Sequence, residues 1–319
     1  MKYSYILPLS ILLSAGAQAE LGHAGFGGEV GVMAGFGGGK SNFNLDNATK
    51  KGALNSAGES ESQALFIPTG KLNYTFGEQN SQQLYFGMPD NDLVGEAVAL
   101  EFGYKIEFAN ESLLTLAYVP TLSKGETWQD PYLTNTKRKK TDVSGNTYSI
   151  SYENMFDTGL TGAFSVYDKD IDNDQAGNSA TSLKRSGDGY LASLAMGLPI
   201  SDIEFIEPEL SYHHFSADGK AMSFDEYVLA FSYMVMLGKE SLAASAGYSS
   251  KQFDANNPLF NKTQEDSNYS LQLMYEYNEF MGWQDWKLNA LIGYSTTASN
   301  IAFYDTSDYM TGVGITYTF

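Results

Sequence analysis

Proton transfer near neutral pH needs a base, and this sequence offers three histidines, His23, His213 and His214. Asp218 and Glu226 lie close enough in sequence to pair with His213, as a hydrolase would require. No serine-bearing nucleophile motif accompanies it. Two adjacent histidines also suit a strand end at a membrane interface, so an enzyme is the weaker reading. The acidic run Asp168-Lys169-Asp170-Ile171-Asp172-Asn173-Asp174 has the density of a calcium loop but not its pattern. Gln175 stands where a loop starting at Asp170 needs glycine, and Thr181 where it needs a bidentate glutamate. No metal and no cofactor is therefore expected. Lys137-Arg138-Lys139-Lys140 puts four cations in one loop, where they would meet lipopolysaccharide phosphates or another anion if the loop is extracellular.

The remaining chemistry lies in charges spaced along alternating segments. By parity, one face carries Glu29, Glu101, Glu107, Glu153, Glu207, Glu209, Glu226 and Glu276, against Lys71, Lys105 and Lys287. Many other positions on that face are Gly, Ala, Ser or Thr. If the face lines a lumen, its acidic excess points to a weakly cation-preferring path for small hydrophilic solutes. The competing reading is a lumen filled by long side chains, paired charges and inward-folded loops, with the loops binding a surface partner.

The elements that would position these residues are strands. The last segment shows the pattern best: Tyr309, Thr311, Val313, Ile315, Tyr317 and Phe319 face one way, while Met310, Gly312, Gly314, Thr316 and Thr318 face the other. A period of two means a strand with one apolar face. Fourteen such segments run at about 24–36, 63–76, 82–88, 94–108, 112–122, 143–156, 160–168, 188–198, 204–216, 225–237, 241–250, 268–280, 286–298 and 308–319. Short connections at 77–81, 109–111, 157–159, 199–203, 238–240 and 281–285 alternate with mostly longer ones, the longest at 37–62, 123–142, 169–187 and 251–267. That sorting is the arrangement of periplasmic turns and extracellular loops.

The expected fold is all-β, a transmembrane antiparallel up-and-down β-barrel of about 14 strands. In lipid every backbone donor and acceptor must be paired, so the sheet has to close. A soluble sandwich would alternate too, but it would not place aromatics at both ends of its strands. Here Phe36, Tyr118, Tyr148, Tyr190, Tyr212, Tyr248, Tyr269, Tyr294 and Tyr309 lie towards the long loops. Phe76, Phe108, Phe156, Trp286 and Phe319 lie towards the short turns, so the two sets form girdles at two membrane interfaces.

Composition agrees. The 319 residues include 22 Tyr, 19 Phe and 32 Gly, no Cys, and only 18% charged residues. The formal charge of −19 disfavours nucleic acid as a partner. Lys2, the apolar stretch Ile6 to Leu13 and Ala17-Gln18-Ala19 form a secretory signal, so residues 1–19 are expected to be cleaved and 20–319 to form one outer-membrane barrel domain. No later apolar run reaches the roughly 18 residues of a membrane helix.

Tyr317-Thr318-Phe319, after its alternating residues, resembles the C-terminal assembly signal of outer-membrane barrels. Such a signal implies the outer-membrane assembly machinery, lipid and lipopolysaccharide as partners. The segments Gly125-Glu126-Thr127-Trp128-Gln129-Asp130-Pro131, Thr141-Asp142-Val143-Ser144-Gly145-Asn146, Ser216-Ala217-Asp218-Gly219-Lys220, Asn261-Lys262-Thr263, and Met281-Gly282-Trp283 with Trp286 extend the likeness. Over nearly the whole mature chain, the protein resembles a proteobacterial outer-membrane family known only as a domain of unknown function. The resemblance implies fold and location and carries no activity or catalytic residue.

Overall fold

The computed structural model describes residues 21–89, 93–95 and 99–319. The expected signal segment and residues 96–98 of the segment read as 94–108 lie outside them. Fourteen antiparallel strands close into one barrel. In chain order they are β1 (Gly25–Lys40), β2 (Ser60–Phe76), β3 (Gln82–Gly87), β4 (Glu101–Glu107), β5 (Leu113–Pro120), β6 (Asn146–Met155) and β7 (Leu160–Ile171). They continue with β8 (Gly187–Met196), β9 (Glu204–Ala217), β10 (Phe224–Leu237), β11 (Glu240–Asn257), β12 (Lys262–Asn278), β13 (Trp286–Ser299) and β14 (Thr306–Thr318). Each strand pairs with its neighbours in sequence. The seam joins β1 to β14 from Glu29↔Thr318 to Lys40↔Ser307, and Gly28 and Phe319 exchange backbone hydrogen bonds of 3.0 and 2.9 Å below it. No edge is left open, as the bilayer demands.

The period-two rows determine the two faces. Phe66, Leu210, Tyr227, Leu229, Leu271, Ile292 and Val313 are exposed on the outside, as a lipid-facing band requires. Aromatic pairs mark both rims of that band. Tyr118 stacks on Tyr148 at 4.8 Å, Tyr248 meets Tyr269 at 5.2 Å and Tyr294 stands opposite Tyr309 near the long loops. Phe26–Tyr74, Trp286–Tyr317 and Tyr317–Phe319 line the other rim.

Strand bounds differ from expectation in three places. The segment read as 94–108 forms a strand only over Glu101–Glu107. The connection read as 251–267 is mostly strand: β11 and β12 continue as a hairpin to Asn257 and Lys262, with a bulge between Gln252 and Asn256. The segment read as 143–156 splits. Its start belongs to a separate hairpin of Gly125–Trp128 with Lys140–Ser144, which leaves the barrel and pairs at its edge with the top of β7. Loop-borne strands of this kind carry no membrane signature, because both faces lie outside the lipid.

Two lumen glycines have a steric reason. A Cβ at Gly103 would stand 2.0 Å from Tyr85 Cζ, and one at Gly189 2.5 Å from the Tyr167 ring. Each tyrosine lies flat along the wall across a neighbouring strand, which needs a residue with no side chain beneath it.

Candidate functional site

The lumen divides into three levels. At the short-turn end a cavity of ≈ 220 Å³ is lined by Glu29, Met33, Thr69, Glu276, Lys287 and Asn289, among others. Lys287 pairs with Glu276 at 3.5 Å, and Lys71 is the register partner of Glu29. On the opposite arc Glu207 lies within electrostatic reach of Glu209 and Glu153. Ser211 donates to Glu209 at 2.6 Å. The carbonyl of Leu21 accepts from Thr75 and Gln83, so the chain start folds against this mouth.

The middle level is polar. Ser232 and Ser245 meet across neighbouring strands at 3.1 Å, as do Ser149 and Ser165 at 2.8 Å. Beside them, Tyr85 donates to Glu101 at 2.6 Å, while Lys71 and Lys105 lie over the Tyr85 ring at 4.5 and 5.5 Å. These three charges thus share one aromatic partner. Glu107 follows Lys105 on the same inward row of β4.

Towards the long loops a buried ionic group crosses β7, β9, β10 and β11. Glu226 accepts from Ser249 at 2.6 Å, from Lys251 at 3.1 Å, and faces His213 Nδ1 at 3.5 Å; His213 Nε2 meets the Tyr167 hydroxyl at 2.8 Å. The hydroxyl on the imidazole is thus a tyrosine, and Ser249 is bonded to the carboxylate, not to the base. His214 points outward instead and shares Asp225 with Tyr212. Lys251 was not among the expected lumen residues. The alternating row continues past Tyr248 through Ser249, Lys251 and Phe253, and following it further would have found Lys251.

Above this level the long loops fold onto one another. Tyr132, Ala176, Leu183, Ala221, Met222, Ile301, Phe303 and Tyr304 form a buried apolar core, with Phe43, Leu54, Leu259 and Phe260 packed against it. Among the described residues, the loops at 41–59, 121–145, 172–186, 218–223, 258–261 and 300–305 all contribute. Hydrogen bonds tie the parts together: Tyr132 to Tyr304 at 2.8 Å, Asn257 to Tyr304 at 2.9 Å, and Asn42 to the carbonyl of Phe303 at 2.7 Å. Val94, from the 88–100 connection, packs below with Val143, Tyr167, Ile171 and Phe215. The long-loop mouth is thus covered by a folded cap.

The four consecutive cations do not form one patch. Lys137 and Lys139 are exposed and Lys140 pairs with Glu126 at 3.3 Å, but Arg138 is buried. Its guanidinium stacks on the buried Trp128 at 4.4 Å and donates to the carbonyls of Asn42, Asn47 and Pro131. Four like charges cannot all leave water, so the one that can fan out onto carbonyls turns inward. The acidic run disperses likewise. Asp168 accepts from Asn146, Asp172 pairs with Lys124, and Asp174 forms a partly buried pair with Arg185 at 2.7 Å.

Several solved outer-membrane proteins are similar in fold. A Pseudomonas aeruginosa FadL homologue is 11% identical over 92% of this chain and 90% of its own, with a TM-score of 0.48. The CymD monoaromatic hydrocarbon channel is 12% identical over 93% and 89%, with a TM-score of 0.47. The outer membrane channel DcaP of Acinetobacter baumannii is 9% identical over 93% and 99%, with a TM-score of 0.45. No curated protein sequence matches. The family described as a protein of unknown function, DUF2860, matches residues 25–318, from the first barrel strand to the last, and the chain belongs to that family.

Proposed function

We propose that this outer-membrane barrel is a channel for small hydrophilic solutes, weakly cation-preferring, whose surface mouth is closed by its own loops. The supporting observation is the inward face. A barrel needs only an apolar exterior to sit in lipid, yet this one turns serines, small residues and charged side chains inward, around a cavity of ≈ 220 Å³ at the periplasmic mouth. Carboxylates from both arcs face the lumen there, and Lys287 and Lys71 offset part of their charge; Lys105 and Lys251 do the same at the levels above. Like charges around a constriction raise the local cation concentration and repel anions.

The test is conductance in planar bilayers, followed by the reversal potential across a KCl gradient. The wild type should favour K⁺. Changing Glu107, Glu153, Glu207 and Glu276 to Gln should move the reversal potential towards zero. Selectivity should fade with salt, since the Debye length drops from about 10 Å at 0.1 M to about 3 Å at 1 M. Anion preference, or no change in the quadruple variant, would refute the electrostatic part.

The cap favours a second reading, a barrel held shut whose loops engage a surface ligand. Absence of conductance even after the cap core is opened by mutation would select it.

A further inference from the structure

The cavity at the short-turn end joins two surfaces that a water-filled passage alone does not need. Its floor is apolar. Ala243 and Met274 are register partners on β11 and β12, and Met274 stands beside Leu291 of β13. Met33 of β1 completes the floor. A Cβ on Gly312, the register partner of Leu291, would stand 2.8 Å from the Met33 sulfur, so this side chain lies across β14. The rim is polar. Thr69 and Thr316 bring their hydroxyls together over Gly31, where a Cβ would stand 2.7 Å from each. Glu276 is paired with Lys287 at 3.5 Å. Glu29 is not paired. Among the described residues its exposed carboxylate has no hydrogen bond and no ion pair, and Lys71, opposite on β2, holds its ammonium over the Tyr85 ring at 4.5 Å. Lys71 therefore offsets Glu29 only at a distance.

The carboxylates of Glu29 and Glu276 face the single ammonium of Lys287, which leaves the cavity lining one negative charge in excess. A dry cavity of about 150 Å³ holds benzene. At ≈ 220 Å³ this one has room for a short alkyl chain or a ring beside a charged head. A bare metal ion would leave the thioethers unused, a sugar would set its hydroxyls against them, and an anion meets the excess charge. Unbranched thioethers adapt to apolar bodies of different shape. We propose that the cavity binds small organic ammonium ions, with the charge at Glu29 and the apolar body on Met33 and Met274. The hydroxyls of Thr69 and Thr316 lie between the two ends and accept from the ammonium. Glu29 and Met33 are separated by about 13 Å along β1. The glutamate side chain and a four- or five-carbon ammonium bridge that span together. The inference rests on the reading of the lumen as an aqueous path open to the periplasm, and it names a solute class that pauses there.

The test is calorimetric titration of propyl-, butyl- and pentylammonium chloride into the full-length barrel in detergent, at constant ionic strength. The heats of the same additions to detergent alone are subtracted. Saturable binding is expected, tightening about three- to fourfold for each added CH₂. Pentanol, the neutral isostere, should bind about two- to fivefold more weakly than pentylammonium, and pentanoate should not bind. Glu29→Gln, a change at an exposed side chain, should weaken pentylammonium by that same factor and leave pentanol unchanged. A flat pentylammonium titration overturns the proposal. So does equal binding of the alcohol and the ammonium, or ammonium binding that Glu29→Gln leaves unchanged. Equilibrium binding needs no open pore. Binding without conductance in planar bilayers therefore supports the site while overturning the channel reading, and conductance without binding overturns the site alone.

Discussion

Removing the Phe303 ring should uncap the barrel. The side chain has no solvent exposure, and its ring meets Tyr132 at 5.3 Å, Phe260 at 5.5 Å, Phe43 at 5.8 Å and Tyr304 at 5.1 Å. Four other rings converge on it, so Phe303→Ala leaves a cavity that the neighbours cannot close without breaking their own contacts. Truncations of this kind cost about 3–5 kcal/mol. At about 1.4 kcal/mol per decade, the balance between closed and open cap shifts roughly 10²- to 10⁴-fold. The strands below are untouched, and the heat-modifiable mobility of the barrel on gels should stay as in wild type. Open probability in planar bilayers should rise steeply. Ile301→Val, a loss of one methyl from the same core, should give a small rise matching its cost of about 0.5–1.5 kcal/mol. Equal open probability in wild type and Phe303→Ala, with intact folding, would refute the claim that this core closes the mouth.

The Arg185–Asp174 pair should matter nearly as much. Arg185 also donates to the carbonyls of Trp128 and Gln129, and Arg185→Ala leaves the partly buried carboxylate of Asp174 with backbone donors but no cation, a loss of up to about 3 kcal/mol. Trypsin on whole cells should then cut at Lys137 to Lys140 much faster than in wild type; equal rates would refute the link. Cap stability should also depend on alkaline pH. Lys50 sits below its ordinary value of 10.5 when buried, so the opened loops bind the more protons, and stability rises with pH through the window below 10.5. Loop proteolysis that accelerates with pH there, after correction for the protease's own profile, would contradict this. Deleting Phe319 should lower outer-membrane yield more than changing Lys137. Its ring stacks on Tyr317 at 6.0 Å and its backbone closes the seam at Gly28.

The barrel was legible because its rule is local. A strand between lipid and lumen must alternate, and the row Tyr309 to Phe319 shows this without reference to any partner. The cap has no such rule. Ile301, Phe303 and Tyr304 sit in a connection read as loop, and their burial depends on residues as distant in sequence as Phe43 and Tyr132. The one signal available was that three large apolar residues in a short loop need a place to hide. Arg138 and its neighbours are indistinguishable in sequence, because the carbonyls that take Arg138 inward come largely from Asn42 and Asn47, about ninety residues away. Lys251 lies on the same inward row as Ser249, one step beyond the segment 241–250 that the alternation marks as strand.

The bond from Asn42 to Phe303 spans 261 residues and links the first long loop to the last. These loops flank the seam between β1 and β14, so they become neighbours only once the sheet has closed on itself. A chain with its seam still open presents the same apolar residues scattered and wet. Cap formation must therefore be the final event of biogenesis, slow by virtue of its long-range contacts. The bond from Asn42 to Phe303 can thus form only after every strand between the two loops has found its partner.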